Sequence, residues 1–516
     1  MVRLAASLLL LAAGLAHAQS AERPKLSERI GDLLGRPAAQ RTHWGVCVVD
    51  LDTGETLYQH GEDRLFVPAS NVKLFSTAIA LRRLGRDYAF ATSVVGEGSI
   101  SESGRLDGDL RLIGGGDPNL SSRELPYRKR EDFARDRLGP LRRLAQAVKN
   151  AGIDSIAGNV VGDDSRYVWQ PYPRGWSYAD TLLGYGSPTS ALVFNDNLIA
   201  LRVTPGAAGG PARAAIVPTL PYYSISNRTL TASGRTVARR LQVRRGEAPG
   251  QIVLAGQIPS RSGGRTFELA ADDPALYAAV ALKQALVDLG VEVQGRALAH
   301  HLLPDRLASL RSGPGASASE RGKTLAELTS HPLSEVIRVV NKDSENLHAE
   351  MLLREVALHE SGIATQEAAV QSLRRFLAEA GLRTNEFVLR DGSGLSRHDL
   401  LSPRGTVRLL EHMWRSEDRD TYLQSLPVAG LDGTLHWRFG RTAARGRIRA
   451  KTGSMSHVLA LSGYVSSQGG RTLAFAIFAN NFGIAESSTR YLVDAIASEL
   501  IYPDPLPGGA VPGAAN

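Results

Sequence analysis

Ser70-Asn71-Val72-Lys73 sets a hydroxyl and an amine three residues apart. If these residues are helical, both side chains share one face. A serine hydroxyl is a weak nucleophile until a base takes its proton. A lysine amine can be that base once its pKa falls well below ~10.4, and burial or a second cation lowers it. A helix start adds backbone N–H groups and the positive end of a dipole, which suit a developing oxyanion. Alone, the motif reads more simply as an N-cap serine and a solvated lysine. Roughly one chance match is expected in a chain this long.

Two further clusters reverse that weighing. Ser344-Glu345-Asn346 lies between two helical stretches, 333–340 and 347–356. Its serine can relay a proton and its asparagine can hold a substrate amide. Caps between helices use the same residue types. Lys451-Thr452-Gly453, followed by Ser454, precedes an apolar strand at 458–465. A lysine, a hydroxyl and a flat glycine on a strand edge form a carboxylate-binding ledge, and Gly453 lets substrate backbone approach closely. Lys451 also supplies the second cation needed to depress Lys73. The order Ser-x-x-Lys, Ser-x-Asn, Lys-Thr-Gly is the motif set of penicillin-recognising serine enzymes.

The elements around these motifs are legible too. Residues 44–50 are an apolar, β-branched run; Asp52-Thr53-Gly54 is a turn and 55–58 can return, which predicts a hairpin. Val72, Phe75, Ile79 and Leu84 recur at roughly helical spacing. From 88 to 319 short strand-like runs alternate with Gly, Asp and Ser, interrupted by helices around 138–151 and 274–289. Residues 205–264 look all-β, and 312–322 read as a linker. Helical periodicity then dominates from 325 to 414. Strands follow at 458–465 and 472–479, and a closing helix at about 488–500.

Of 516 residues, 43% are hydrophobic and 22% charged, which excludes a wholly disordered chain. Length alone suggests about three domains. The single Cys47 excludes an internal disulfide and a zinc ribbon, and its apolar strand makes it inert core. Arg3, the apolar stretch 4–13 and Ala16-His17-Ala18 predict a signal peptide, 1–18, and a mature start near Gln19. An exported chain with a single Cys is expected in a bacterial periplasm or exterior, and the periplasm is the reading taken. The charge of +8 comes from 60 Lys+Arg against 52 Asp+Glu. Export argues against nucleic acid as the partner, and basic runs such as 239–245 read as solvated faces.

The chain resembles the class C low-molecular-mass penicillin-binding proteins, the D-alanyl-D-alanine carboxypeptidases and endopeptidases with a large insert. Besides the three motifs, the resemblance takes in Gly114-Gly115-Gly116-Asp117-Pro118, Gly162-Asp163-Asp164-Ser165, the run Tyr185 to Leu192 and the run Asp391 to Arg397. It implies a multidomain α/β (α+β) fold. A transpeptidase-like core with an antiparallel sheet flanked by helices would be interrupted by a large, mostly β insert. The expected boundaries are 19–88 and 320–502 for the core, 89–200 and 259–319 for inserted domain II, 201–258 for a nested β-rich domain III, and 503–516 for a flexible tail.

The resemblance also implies roles. Ser70 would be acylated by the penultimate D-Ala carbonyl, with Lys73 as general base. Ser344 would shuttle the proton to the leaving amine, and Asn346 would hold Lys73 and the substrate amide. Lys451 and Thr452 would bind the terminal carboxylate, or that of a β-lactam inhibitor, beside Gly453. The backbone N–H groups of Ser70 and Ser454 would form the oxyanion hole. Asp180, Tyr185 and Arg397 match residues that bind the side chain and carboxylate of the stem's diamino acid. Ser456 departs from relatives with a larger polar side chain there, so stem preference stays open. The implied partners are peptidoglycan stem peptides, with β-lactams as inhibitors. No cofactor or metal is implied, and peripheral association with membrane or wall stays open.

Other features carry less. His300-His301 lacks metal-ligand spacing and reads as surface histidines; the triple glycine is no phosphate loop; no Gly-x-Ser-x-Gly elbow exists. The rival enzyme is a β-lactamase, typically shorter and without so long an insert. The rival from another class is a noncatalytic peptidoglycan-binding protein, although no catalytic residue is missing.

Overall fold

The computed structural model describes residues 23–129, 136–248, 250–306 and 322–504. The expected leader lies outside them, as do nearly all of the expected linker and tail. The fold is mixed α/β.

Its centre is a five-stranded antiparallel sheet in the order Ile448–Met455, Val458–Ser466, Thr472–Asn480, His43–Asp50, Thr56–His60. The N-terminal hairpin thus pairs with the C-terminal one, as their patterns predict. Side-chain alternation feeds two cores. Cys47, Val49, Ala474, Ala476 and Phe478 face the helical layer. Val46, Val48, Phe475 and Ile477 face helices Leu26–Gly35 and Glu486–Glu499. Both faces are covered, so these strands read as continuous apolar runs. Each such buried Val, Ile or Phe contributes about 1.5–3 kcal/mol relative to exposure.

Helix Val72–Leu84 runs through the interior, with every residue from Val72 to Leu81 buried. It is apolar on nearly all sides because it is surrounded. Helices Leu333–Lys342, Asn346–Ser361, Gln366–Glu379 and Pro403–Arg415 pack about it. The helix ends at Gly85, at φ 85°, whose N–H returns to Leu81 O at 3.1 Å.

Between the two halves of this core sits the insert. Its seven-stranded sheet includes the hairpin Ala91–Ile100 and Arg105–Ile113 and carries helices Gly139–Asn150 and Pro274–Asp288. Lys323–Thr329 adds to it as a strand beside Ala91–Ile100. The helical expectation for residues 325–329 is thus corrected. Leu325 and Leu328 have helical spacing, but a register shift between Thr324 and Ala326 interrupts the strand alternation that would have marked them. Two three-stranded sheets lie further out. One joins Arg265–Ala270, Leu198–Thr204 and Arg213–Val217; the other joins Gln242–Arg245, Gln251–Pro259 and Ser224–Ala232. Leu201, Val203, Ile252 and Leu254 form their shared core.

His301 is half-buried rather than a free surface residue. It stacks on Trp169 with ring centroids 4.0 Å apart, and its ring nitrogens meet Asp164 at 2.8 Å and Asp273 at 3.3 Å. Among the described residues no helix is long and apolar enough to cross a membrane.

Candidate active site

Ser70 sits in a short 3-10 turn, Ala69–Asn71, that leads into helix Val72–Leu84. Neither start is capped by a side chain, so the Ser70 hydroxyl is not spent as an N-cap. Ala69, just before it, has φ 47°, a strained conformation for a residue with a Cβ. The following segment explains how the strain is held. Gly394, at φ 77°, lies so close that an added Cβ would stand 1.9 Å from Ala69 O.

Lys73 points back at Ser70 from one turn on. Its Nζ donates to Ser70 Oγ at 2.9 Å, Asn346 Oδ1 at 2.5 Å and Ser393 O at 2.7 Å. Two of these partners can only accept. The third is a hydroxyl, which can reverse its role and donate to a neutral amine. This amine can therefore exchange a proton with Ser70 without losing its other bonds. Burial lowers Lys73 to about 8, while Asp391, Glu345 and Glu350 pull it back up.

Asn346 opens helix Asn346–Ser361, and its Nδ2 donates to Tyr185 O at 2.7 Å. One turn later Glu350 accepts the N–H groups of Gly392 at 2.9 Å and Ser393 at 2.8 Å. The same helix thus supplies one acceptor to Lys73 directly and positions another, the Ser393 carbonyl. Burial and Asp391 raise Glu350 to about 8. Neither Glu350 nor Ser393 was singled out by the sequence. The i, i+4 spacing from Asn346 could have pointed to Glu350; a backbone carbonyl leaves no such mark.

Ser344 has φ 64° and caps neither helix beside it. Its Oγ accepts from Lys451 Nζ at 2.8 Å. The strain is held through its neighbour Asp343, which the insert grips. Arg123 Nη1 meets Asp343 Oδ2 at 2.6 Å, and Tyr127 donates to Asp343 Oδ1 at 2.6 Å. Arg123 Nη2 also meets Asp196 at 2.9 Å, and Asp196 meets His348 Nε2 at 2.9 Å. All three charged side chains of the Arg123 bridge are at most 4% exposed.

Lys451-Thr452-Gly453-Ser454 lies within the edge strand Ile448–Met455, directly ahead of Val458–Ser466 as expected. Ile448 O accepts from Ala429 N–H, and Ala450 N–H donates to Pro427 O, so both residues turn their backbone groups off the sheet's outer edge. The register continues unbroken. By strand alternation Thr452 and Ser454 therefore point their N–H groups the same way. An extended ligand can add to such an edge. Thr452 Oγ1 meets Thr434 Oγ1 at 2.8 Å. Gly453 also has a structural reason to be glycine: a Cβ there would come within 2.5 Å of Pro68 O, in the turn that carries Ser70.

Two cations so placed disfavour each other's charge. Burial pushes Lys451 well below the usual lysine range, and the charge on Lys73 pushes it further. Lys73 has three carboxylates nearby, whereas Lys451 has Asp343. Charge is therefore better held on Lys73, and Lys451 is the first to yield its proton.

The other expected residues sit on the rim. Tyr185 donates its hydroxyl to Asp180 Oδ1 at 2.7 Å, and burial with Asp180 raises the phenol to about 12. The loop carrying both is anchored by Trp176, whose indole N–H donates to Asp391 at 2.8 Å. Arg397 is exposed, and its Nη1 stands 3.5 Å from Ser456 O, longer than a good hydrogen bond. No described hydrogen bond links it to Asp180 or Tyr185.

Known proteins resemble this arrangement. A family model described as the D-Ala-D-Ala carboxypeptidase 3 (S13) family matches residues 26–500. A D-alanyl-D-alanine carboxypeptidase of Actinomadura sp. (strain R39) is 33% identical over 497 residues, 94% of this chain and 86% of that one. The D-alanyl-D-alanine carboxypeptidase DacB of Haemophilus influenzae is 27% identical over 457 residues, 86% of this chain and 87% of that one. The crystal structure of penicillin binding protein 4 from Haemophilus influenzae has the same fold, with a TM-score of 0.77 at 24% identity, covering 91% of this chain and 98% of that one.

Proposed function

Because the chain belongs to the D-Ala-D-Ala carboxypeptidase 3 (S13) family, we propose that Ser70 is the nucleophile of its acyl-enzyme chemistry. The chain is a serine-type D-Ala-D-Ala carboxypeptidase, a hydrolase that removes terminal D-Ala from peptidoglycan stems. Penicillin binding goes with that activity, because a β-lactam acylates the same serine.

The observation that carries the assignment is the set of acceptors on Lys73, with Ser70 Oγ at 2.9 Å. In the mechanism we infer, the substrate's terminal carboxylate docks at Lys451 and Thr452. An anion there favours the proton on Lys451 and leaves Lys73 as a neutral amine. Lys73 takes the Ser70 proton as Oγ attacks the penultimate D-Ala carbonyl. The oxyanion faces the N–H groups of Ser70 and Ser454. Ser344 hands a proton to the leaving D-Ala amine, while Asn346 keeps Lys73 aimed. Water then hydrolyses the ester. Asp180, Tyr185 and Arg397 receive the stem's diamino-acid end. No step calls on a metal or cofactor.

The organisation we infer has the core at 19–88 and 330–502, because Lys323–Thr329 pairs within the insert's sheet. Domain II spans 89–197 and 271–329. The nested β-rich unit is 198–270, because Leu198–Thr204 and Arg265–Ala270 pair within it. A leader cleaved near Ala18 and a periplasmic location complete the reading.

The test is intact mass over time after adding benzylpenicillin. We expect a persistent one-equivalent adduct that Ser70→Ala abolishes. A folded Ser70→Ala protein that still forms the adduct would refute the nucleophile. Rapid antibiotic loss without an adduct would indicate a β-lactamase instead.

A further inference from the structure

Both ends of the Ser344–Asn346 motif are held by one stretch of the insert. Asn346 Nδ2 donates to Tyr185 O. A little further along stands Asp196, which spends its two carboxylate oxygens on different partners. Oδ2 accepts from Arg123 Nη2 at 2.9 Å, and Oδ1 meets His348 Nε2 at 2.9 Å. Arg123 carries the hold on to Asp343, the residue before Ser344. His348 is fully buried and lies on the helix that Asn346 opens. Burial pushes the Asp196 carboxyl up, but Arg123 and His348 outweigh it and keep the group ionised.

The backbone at Asp196 is costly. Asn195, Asp196 and Asn197 have φ of 53°, 55° and 54°. Asn and Asp enter this left-handed region as single residues, and a run of three stores strain. Local bonds hold it. Asn197 Nδ2 donates to Pro188 O at 3.1 Å, Asn195 Nδ2 to Leu198 O at 3.1 Å, and Asn195 N–H to Leu120 O at 3.0 Å. The first of these closes the turn onto the run that begins at Tyr185. Tyr185 O and the Asp196 carboxylate are thus presented by one braced piece.

Adhesion between insert and core does not account for this construction. Adhesion needs neither a strained turn nor buried charge, since apolar side chains of like size serve as well or better. It is also supplied elsewhere: further along the same helix Glu355 accepts from Tyr167 at 2.7 Å and from Arg166 Nε at 3.1 Å. What the Asp196 arrangement adds is aim. Ser344 stands at φ 64° beside a residue that Arg123 holds, and its Oγ meets Lys451.

We propose that Asp196 is a positioning residue: it fixes Arg123 on Asp343 and His348 on the Asn346 helix, and thereby aims Ser344 for its proton transfer. The insert is then a working part of the catalytic centre. The proposal rests on the serine carboxypeptidase reading above, in which Ser344 hands the proton to the leaving nitrogen.

The test is a double-mutant cycle on benzylpenicillin acylation, with Asp196→Asn, Ser344→Ala and the two combined, each checked for native near-ultraviolet circular dichroism. The dependence of rate on antibiotic concentration separates initial binding from the acylation step. Asparagine keeps the shape of Asp196 and loses its charge. We expect the acylation step to slow about tenfold to a hundredfold, the cost of a misplaced catalytic group, with initial binding unchanged. In the Ser344→Ala background the same change should cost less than about twofold, because the group it aims is gone. Three results would overturn the proposal: unchanged acylation in Asp196→Asn, a loss confined to binding, or an equal loss with and without Ser344, which is what a merely structural role gives. If Asp196→Asn does not fold, Arg123→Lys takes its place in the cycle with the same expectations, since its single ammonium lacks the fork that spans both carboxylates. A wild type that benzylpenicillin never acylates would instead overturn the serine carboxypeptidase reading and this proposal with it.

Discussion

Replacing Lys451 with Met should reverse the direction in which acylation responds to pH. In the wild type the productive state carries one proton between two lysines, with Lys451 charged and Lys73 neutral. Lys451 yields its proton first, so the pair's last proton leaves Lys73 at about 8. Acylation should therefore rise through a lower pKa and fall through about 8. One unit above that value only about 9% of the enzyme keeps the needed proton, and two units above about 1%. In Lys451→Met the carboxylate loses its cation, which costs about 1.5–3 kcal/mol, or roughly 10–150-fold in the second-order rate. The remaining requirement is a neutral Lys73. Its fraction climbs from about 1% at pH 6 to about half at pH 8, a gain of roughly 50-fold. The assay is the second-order rate constant for benzylpenicillin acylation, followed by stopped flow from pH 5.5 to 10. Opposite slopes around pH 8 are expected. Parallel slopes in the two proteins would refute the shared-proton argument, whatever their absolute rates.

Gly394→Ala forces a Cβ against Ala69 O at a residue with φ 77°. Urea unfolding should show a loss of at least about 1–3 kcal/mol, with slower acylation; wild-type values for both would mean that Gly394 does not brace the nucleophile. Arg123→Ala leaves Asp343 and Asp196 buried without their cation, and should cost about 3–5 kcal/mol by chemical denaturation. A loss under about 1 kcal/mol is a surface-pair value and would contradict the buried bridge. Burial raises the Cys47 thiol to about 12. Iodoacetamide at pH 8 should leave the native protein unlabelled and modify it in guanidinium; stoichiometric native labelling would show that the strand opens.

What could be read in the sequence was whatever side-chain spacing carries. The three motifs, the two hairpins and the long helices each depend on residues close together in the chain. What could not be read depends on partners far apart or on backbone. Ser393 serves through its carbonyl, and any residue type has one. Gly453 and Gly394 were visible as glycines, but which neighbour crowds them is a tertiary fact: Pro68 O in one case and Ala69 O in the other. Lys323–Thr329 is a strand only because Ala91–Ile100 waits beside it. The hold on the Lys73 charge comes from Asp391, Glu345 and Glu350, carboxylates far from Lys73 in the chain. His301 looked like a free surface residue because Asp164 and Trp169, which pack against it, are far upstream.

The pairing of His43–Asp50 with Thr472–Asn480 also governs how the enzyme comes into being. A ribosome makes the first of these strands long before the second. Closing so long a loop is slow, because the entropy is lost before the contact rewards it. The insert shortens the search. Phe90 and Ser330 are joined twice, by Ser330 N–H to Phe90 O at 2.8 Å and by Phe90 N–H to Ser330 Oγ at 2.9 Å, so the insert begins and ends at one point. Once it has folded as a unit, the chain that must be searched is only the remainder. Even then the nucleophile's helix lacks a finished sheet to rest on until the last strands arrive. A chain ended before Thr472–Asn480 would thus carry Ser70 and Lys73 without the sheet that makes them an active site.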